Sequence, residues 1–175
     1  MCAKRLLGLA GTFCLLSGVG LAQAQFGLRQ DDPDAPPWQE EVVEPPAYPE
    51  EANLLPFYVS EMTAHRFFID GTSLSVGKDG VVRYVLVVRT AGGTTNVSFE
   101  GIRCETREFR IYATGRGDRS WAKARLSEWR PIENKPMNRH HAALSRDLFC
   151  PGGVPIASPA EGRNALKLGK HPHAT

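Results

Sequence analysis

The chain has 175 residues, 42% of them hydrophobic and 23% charged, with 17 Gly, 13 Pro and 4 Cys. That is enough for one well-cored domain and too little for two large ones, and it excludes collagenous, coiled-coil and wholly disordered chains as well as a disulfide-dense miniprotein. A formal net charge of +2 gives no overall excess that would argue for nucleic acid.

The first segment has the order of a secretory leader. Lys4 and Arg5 precede a mostly apolar run from Leu6 to Leu21, and Ala22-Gln23-Ala24 supplies an A-x-A cleavage site, so residues 1–24 are expected to be removed and Gln25 to begin the mature chain. Gly8, Gly11, Gly18 and Gly20 interrupt the apolar run, which is short for a membrane span. Cys14 lies inside the apolar run instead of at the cleavage point, which argues against a lipoprotein. The expectation is a periplasmic protein with no transmembrane segment after cleavage.

Residues 25–56 read as an extended acidic arm. Eight acidic residues and no basic one fall between Asp31 and Glu51, and seven prolines lie between Pro33 and Pro56. Proline removes amide donors and like charges repel, so neither helix nor sheet suits this stretch. Trp38 and Tyr48 break its polarity. From Ala52 on, 18 Lys and Arg stand against 11 Asp and Glu, a net of +7. Attachment keeps the arm at high local concentration near this body, so it is expected to dock there, with Trp38 and Tyr48 as anchors over arginines.

A single globular domain is expected over residues 57–168. Asp70-Gly71 and Gly77-Lys78-Asp79-Gly80 read as turns. Val82, Tyr84, Leu86 and Val88 line one face of a strand over Val81–Arg89, and Val85 and Val87 make its other face apolar at the centre, as in an internal strand. Val97 and Phe99 alternate with Asn96, Ser98 and Glu100; Phe109, Ile111 and Ala113 alternate with Glu108, Arg110 and Tyr112. This period predicts an antiparallel meander with one buried face. Trp121 to Trp129 fits neither strand nor helix period. Helical spacing of His141, Leu144 and Leu148 predicts a helix over Asn138–Phe149, and Ser158-Pro159-Ala160-Glu161 opens a second to about Leu168. Residues 169–175 read as a frayed tail. The fold class is therefore α+β to mainly β: an antiparallel sheet of about five strands with two short C-terminal helices.

Once the leader is cleaved, only Cys104 and Cys150 remain, and in an oxidising compartment one disulfide is expected. The alternative is a nucleophilic Cys150 paired with His140 or His141, for which the local sequence supplies no specific signal. On a helix His140 and His141 point about 100° apart, which does not suit one metal ion, and one partly buried and one exposed histidine are expected. No metal or cofactor is expected. Asp70 and Asp79 read as turn residues, and Asn96-Val97-Ser98 is a sequon inside a strand. Basic residues crowd from Arg103 to Arg130 with aromatics between them, and Arg103, Arg107, Arg110, Trp121 and Trp129 are the candidate binding residues. In the cytosol that pattern suits single-stranded nucleic acid; outside it the more natural partners are anionic envelope components such as lipid phosphates or polyanionic glycans, or an acidic segment of an envelope protein, and the plain alternative is a solvated basic face.

Several runs carry a resemblance: Ile69-Asp70-Gly71, Ser73-Leu74-Ser75-Val76-Gly77, Asp79-Gly80-Val81-Val82-Arg83-Tyr84 and Asn96-Val97-Ser98-Phe99-Glu100-Gly101-Ile102-Arg103-Cys104. With Trp129-Arg130-Pro131-Ile132 and Phe149-Cys150-Pro151, they resemble the cryptic neisserial protein-like family over about residues 38–155. The resemblance implies a small exported Gram-negative protein of unassigned function, with no catalytic role to carry over. The resulting expectation is a non-catalytic envelope binding module; the alternative is a small hydrolase or transferase with its site near His140 and His141.

Overall fold

The computed structural model describes residues 36–136 and 139–174. The expected leader, its expected cleavage site after Ala24 and the start of the acidic arm lie outside the described residues.

Among the described residues, eight antiparallel strands form one sheet: β1 (Leu54–Phe57), β2 (Arg66–Asp70), β3 (Ser75–Val76), β4 (Val81–Arg89), β5 (Thr95–Arg103), β6 (Glu108–Gly115), β7 (Trp121–Lys123) and β8 (Arg130–Pro131). The order is β1-β2-β4-β5-β6-β7, with β3 on β4 beside β2 and β8 on β6 beside β7. The three strands beyond the expected five, β1, β7 and β8, are short pieces of two to four residues, too brief to show a period. Asp70-Gly71 does not close a hairpin, since β2 and β3 both pair with β4. β1 starts at Leu54, within the stretch read as arm, and pairs along β2 from Leu54 to Phe57.

β4 lies at the centre, and its first seven residues are buried. Val82, Tyr84 and Leu86 pack into one core with Ile69, Ile102 and Phe109. Leu144, Leu148, Phe149, Ile156, Ala165 and Leu166 from the C-terminal segments close that core. Val85 and Val87 belong to a second core with Phe68, Val97, Phe99 and Ala113. Both faces are therefore covered, which corrects the expectation of a single buried face. The second cover is the arm, whose Val43 and Tyr48 pack against the second core.

A bulge corrects the face assignment in β6. Phe99 pairs with Ala113 but Glu100 pairs with Ile111, so Tyr112 is the extra residue. Phe109 and Ile111 stay with the first core, while Tyr112 and Ala113 both join the second. One inserted residue is enough to reverse every later side chain.

The C-terminal helices form largely where expected. α1 (Arg139–Ala143) runs directly into a π-helical turn, Leu144–Phe149, closed by the Cys150 amide on the Ser145 carbonyl at 2.9 Å. The wider turn delivers Cys150 to Cys104, and the two form the expected disulfide across 46 residues of sequence. α2 (Pro159–Leu168) starts on Ser158, whose hydroxyl accepts from the Glu161 amide at 3.2 Å, and ends at Gly169 with φ of 78°. Positive φ at that stop suits glycine, which has no Cβ to clash. Gly162 on the same helix meets the sheet side: a Cβ there would lie 2.6 Å from the side chains of Ile156 and Leu74.

The frayed-tail expectation is overturned. His171 is 4% exposed, its amide donates to the Asp147 carbonyl at 2.7 Å, and its Nε2 lies 2.8 Å from Glu161 Oε1. A polar C-terminal stretch looked solvated, but its imidazole has both an apolar face to bury and a carboxylate to meet.

Candidate functional site

The acidic arm crosses the second face of the sheet as a strap from Trp38 to Glu51. Prolines keep it extended, and apart from the Asn53–Glu50 and Gly71–Asn53 bonds at its end, its contacts with the sheet use side chains on at least one side. The Trp38 indole donates to the Asp79 carbonyl at 2.9 Å, meets Trp129 edge-on at 6.0 Å, and has the Arg103 guanidinium 4.0 Å from its ring centroid. Cationic side chains over an indole face are held by the ring quadrupole.

Two residues on, one carboxylate collects three donors. Arg110 Nη1 donates to Glu40 Oε2, the Trp129 indole donates to the same oxygen at 3.1 Å, and the Tyr112 hydroxyl donates to Oε1 at 2.8 Å. Burial pushes the Tyr112 phenol up, and Glu40 adds to this against the opposing pull of Arg83, so Tyr112 stays a donor. Glu40 retains only 17% side-chain exposure, a value at which water no longer screens the pair fully.

Beneath the strap, Asp79 acts as a hub. Its carboxylate accepts from Arg83 at 3.0 and 2.5 Å, from the Glu41 amide at 2.9 Å and from the Val81 amide at 3.2 Å. Burial alone would raise the Asp79 pKa, but these hydrogen bonds outweigh it and hold the carboxyl below its usual value. Arg83 is itself buried and also donates to the Glu41 carbonyl at 3.3 Å. At the far end, Trp121 donates to the Pro46 carbonyl at 2.9 Å, Tyr48 packs on Trp121 at 5.3 Å, and Arg119 lies 5.4 Å from the Tyr48 ring centroid. Gly115 makes the Tyr48 seat possible, since a Cβ there would fall 2.7 Å from the Tyr48 hydroxyl. Glu51 pairs with Arg89.

Of the five candidate residues, Arg103, Arg110, Trp121 and Trp129 converge on the strap. Arg107 does not: it sits in a turn with φ of 56° and lines a separate cleft beside Cys104 and Cys150. The sequence reading missed Arg83, a charge near one end of its strand, and Asp79, which reads as a turn residue alone. The available signal was the pairing of a basic residue inside an apolar strand with an acid four positions earlier.

The histidine pair occupies the opposite face. His141 is 3% exposed, stacks on Phe109 at 3.7 Å and places Nε2 2.8 Å from Glu100 Oε2. Ser98 donates to Glu100 Oε1 at 2.6 Å and Tyr84 donates to Oε2 at 3.3 Å. Glu100, expected on the polar side of its strand, is thus enclosed with hydrogen-bond partners. His140 was expected to be exposed if its neighbour was buried; instead it is half-buried, stacking on Phe67 at 5.4 Å and lying 4.1 Å from His141. It lines a cleft of about 610 Å³ with Val59, Met62, Val88 and Arg139. Among the described residues, no three His, Cys, Asp or Glu side chains gather to hold a metal ion, and no helix is long and apolar enough to cross a membrane.

Burial, with help from the His141 charge and against the pull of Glu100, pushes the His140 pKa down to about 4. The unfolded imidazole titrates at its ordinary value of about 6.5. Between these values the unfolded chain holds the extra proton, so stability is full above the unfolded value and is lost as pH falls through the window. The unfolding free energy is expected to drop by about 3 kcal/mol from this group between pH 6.5 and 4. Urea titrations across that range check this; His140→Leu should flatten the slope, and an unchanged slope would refute it.

The fold and this face define a class: a single antiparallel sheet domain, closed on one side by helices and on the other by an acidic strap over cationic and aromatic side chains. The sequence pattern of the CNP1-like family matches residues 33–167, and the chain belongs to that family. It is similar to Cryptic neisserial protein 1 of Neisseria gonorrhoeae (strain ATCC 700825 / FA 1090), 29% identical over 103 residues. That match covers 51% of this chain and 50% of the gonococcal protein, so the chain spans about half the length of the curated relative it matches. No solved structure matches the chain.

Proposed function

We propose that the protein is an exported, periplasmic binding module without catalytic activity, and that its strap-covered face receives an envelope protein or another anionic envelope component. The observation that carries this reading is the convergence of Arg110, Tyr112 and Trp129 on a single carboxylate, Glu40. Three donors aimed at one acceptor, beside an arginine-capped indole, make a recognition site for negative charge. The leader pattern in residues 1–24 supports export, and the disulfide is of the kind that persists in oxidising compartments.

A second reading, a small hydrolase or transferase, draws on His140, which is neutral at physiological pH and faces the 610 Å³ cleft. The carboxylate that would orient a catalytic imidazole pairs with His141 instead, inside the core.

The test is in-cell crosslinking of the native chain, followed by intact mass of the purified protein. The expected mature chain begins at Gln25 in the periplasmic fraction, with an adduct mapping to β5–β7. Retention of residues 1–24 in the membrane pellet would overturn export. Absence of any adduct from that face would overturn the binding role, and adducts confined to the His140 cleft would favour the second reading.

A further inference from the structure

Resting on the binding reading above, we propose that the strap face is a groove for an extended, proline-rich acidic peptide of a partner protein, and that residues 38–48 are its built-in occupant. The occupant shows what the groove takes. Trp38 fills a slot between Arg103 and Trp129, and the carboxylate two residues on is read by Arg110, Tyr112 and Trp129. Ten residues after the indole, Tyr48 fills the seat left by Gly115.

The backbone of the occupant supports the same reading. Its bonds to the sheet face reach side chains: the Glu41 amide donates to Asp79, and the Glu41 and Pro46 carbonyls accept from Arg83 and Trp121. A strand added to a sheet edge needs an amide at every second residue, whereas a ligand held at separate anchors tolerates proline throughout. Proline also lowers the entropy lost on docking, as in other polyproline-type ligands. The groove therefore selects for the composition its own arm has.

The arm leaves the middle of the groove open. Between Glu41–Pro45 and β6–β7 lies a cleft of about 650 Å³ with Arg110, Tyr112, Trp121 and Lys123 on its walls. Among the described residues Lys123 makes no ion pair, so a cation waits in a cleft the occupant spans without filling. A tethered arm stays in place at an effective concentration on the order of mM, so it need not fit well. A partner segment that also fills the cleft and meets Lys123 can displace it.

The experiment uses the full chain with two of its arm's anchors removed, Trp38→Ala with Glu40→Ala, and a labelled synthetic peptide of residues 36–51. Fluorescence anisotropy is expected to show this variant binding the peptide about tenfold or more tightly than wild type, whose arm competes in cis. Circular dichroism and the intact disulfide confirm that the variant is folded. Adding Arg110→Ala, or replacing Glu40 by Gln in the peptide, should weaken binding about tenfold; if the Arg110 variant fails to fold, the peptide substitution carries the result. Equal affinity of wild type and variant overturns the proposal. So does sedimentation of the variant with phosphatidylglycerol vesicles without peptide uptake, or its appearance as an arm-exchanged dimer that takes up no peptide. These failures leave intact the broader binding reading, which falls only if in-cell crosslinking yields no adduct on this face.

Discussion

Loss of the Cys104–Cys150 bond is expected to cost about 4 kcal/mol, because it closes a loop across 46 residues and thereby restricts the unfolded chain. Typical domains are stable by only 5–15 kcal/mol, so this is a large share of the total. The bond ties the end of β5 to the end of the π-helical turn, and both cysteines are buried in the first core. Cys104→Ser and Cys150→Ser should destabilise equally, and the double variant should be no worse than either, since one bond accounts for all three losses. Denaturant titrations measure this directly. A double variant clearly less stable than both single ones would show that the thiols pack independently, and labelling of two free thiols in native protein would remove the premise.

The Glu100–His141 pair is the second determinant, and its removal is expected to invert a pH dependence as well as to cost stability. Truncating one partner of a buried pair typically costs about 3–5 kcal/mol, because the other charge stays enclosed. Burial by itself would raise the Glu100 pKa, but the His141 charge and hydrogen bond, the His140 charge and the Ser98 hydrogen bond bring it below the usual value. In wild type the group therefore stabilises the fold above the unfolded carboxylate pKa, and the effect is lost as pH falls through the lower, folded value. In His141→Leu burial remains and the chief opposing group is gone, so the folded pKa rises above the unfolded one. That variant should lose stability as pH increases above the unfolded carboxylate pKa, where the wild-type group already contributes in full. Urea midpoints at pH 4.5 and 7.5 compare the two chains, and the His140 contribution is largely common to both. Parallel profiles would refute the account.

Much of the architecture was legible because the relevant signals are local. Val81–Arg89 shows apolar residues at both phases of a two-residue period, and it is the central strand. Ser158, Pro159 and Glu161 define the α2 start through bonds within one helical turn, and the helix stops after Leu168 at the left-handed Gly169. Opposite charge in arm and body, with aromatics in both, pointed to docking, and Arg103, Arg110, Trp121 and Trp129 meet the arm. All three tryptophans of the chain lie at this contact.

Other features depend on pairings that no local pattern carries. The bulge at Tyr112 depends on how β6 registers against β5, and it alone sends Ala113 to the strap side. Glu100 looked solvent-facing because alternation cannot tell a polar face from a second core holding one satisfied carboxylate. His171 looked frayed because its partners, Asp147 and Glu161, are brought to it by the packing of the π-helical turn and α2.

By itself, then, the sequence determined the long strands β4, β5 and β6, the α2 cap, the cysteine pair and the charge division between arm and body, all properties of neighbouring residues or of counting. Only the tertiary structure decided that Glu40, out of the five arm acids among the described residues, is the one held by Arg110, Tyr112 and Trp129. Residues 40 and 129 become neighbours only after β4, β5 and β6 are in register and Asp79 has fixed the Glu41 amide. Charge sets the long-range attraction between arm and body, but short-range hydrogen-bond geometry selects the residue that binds, and that geometry exists only in the assembled sheet.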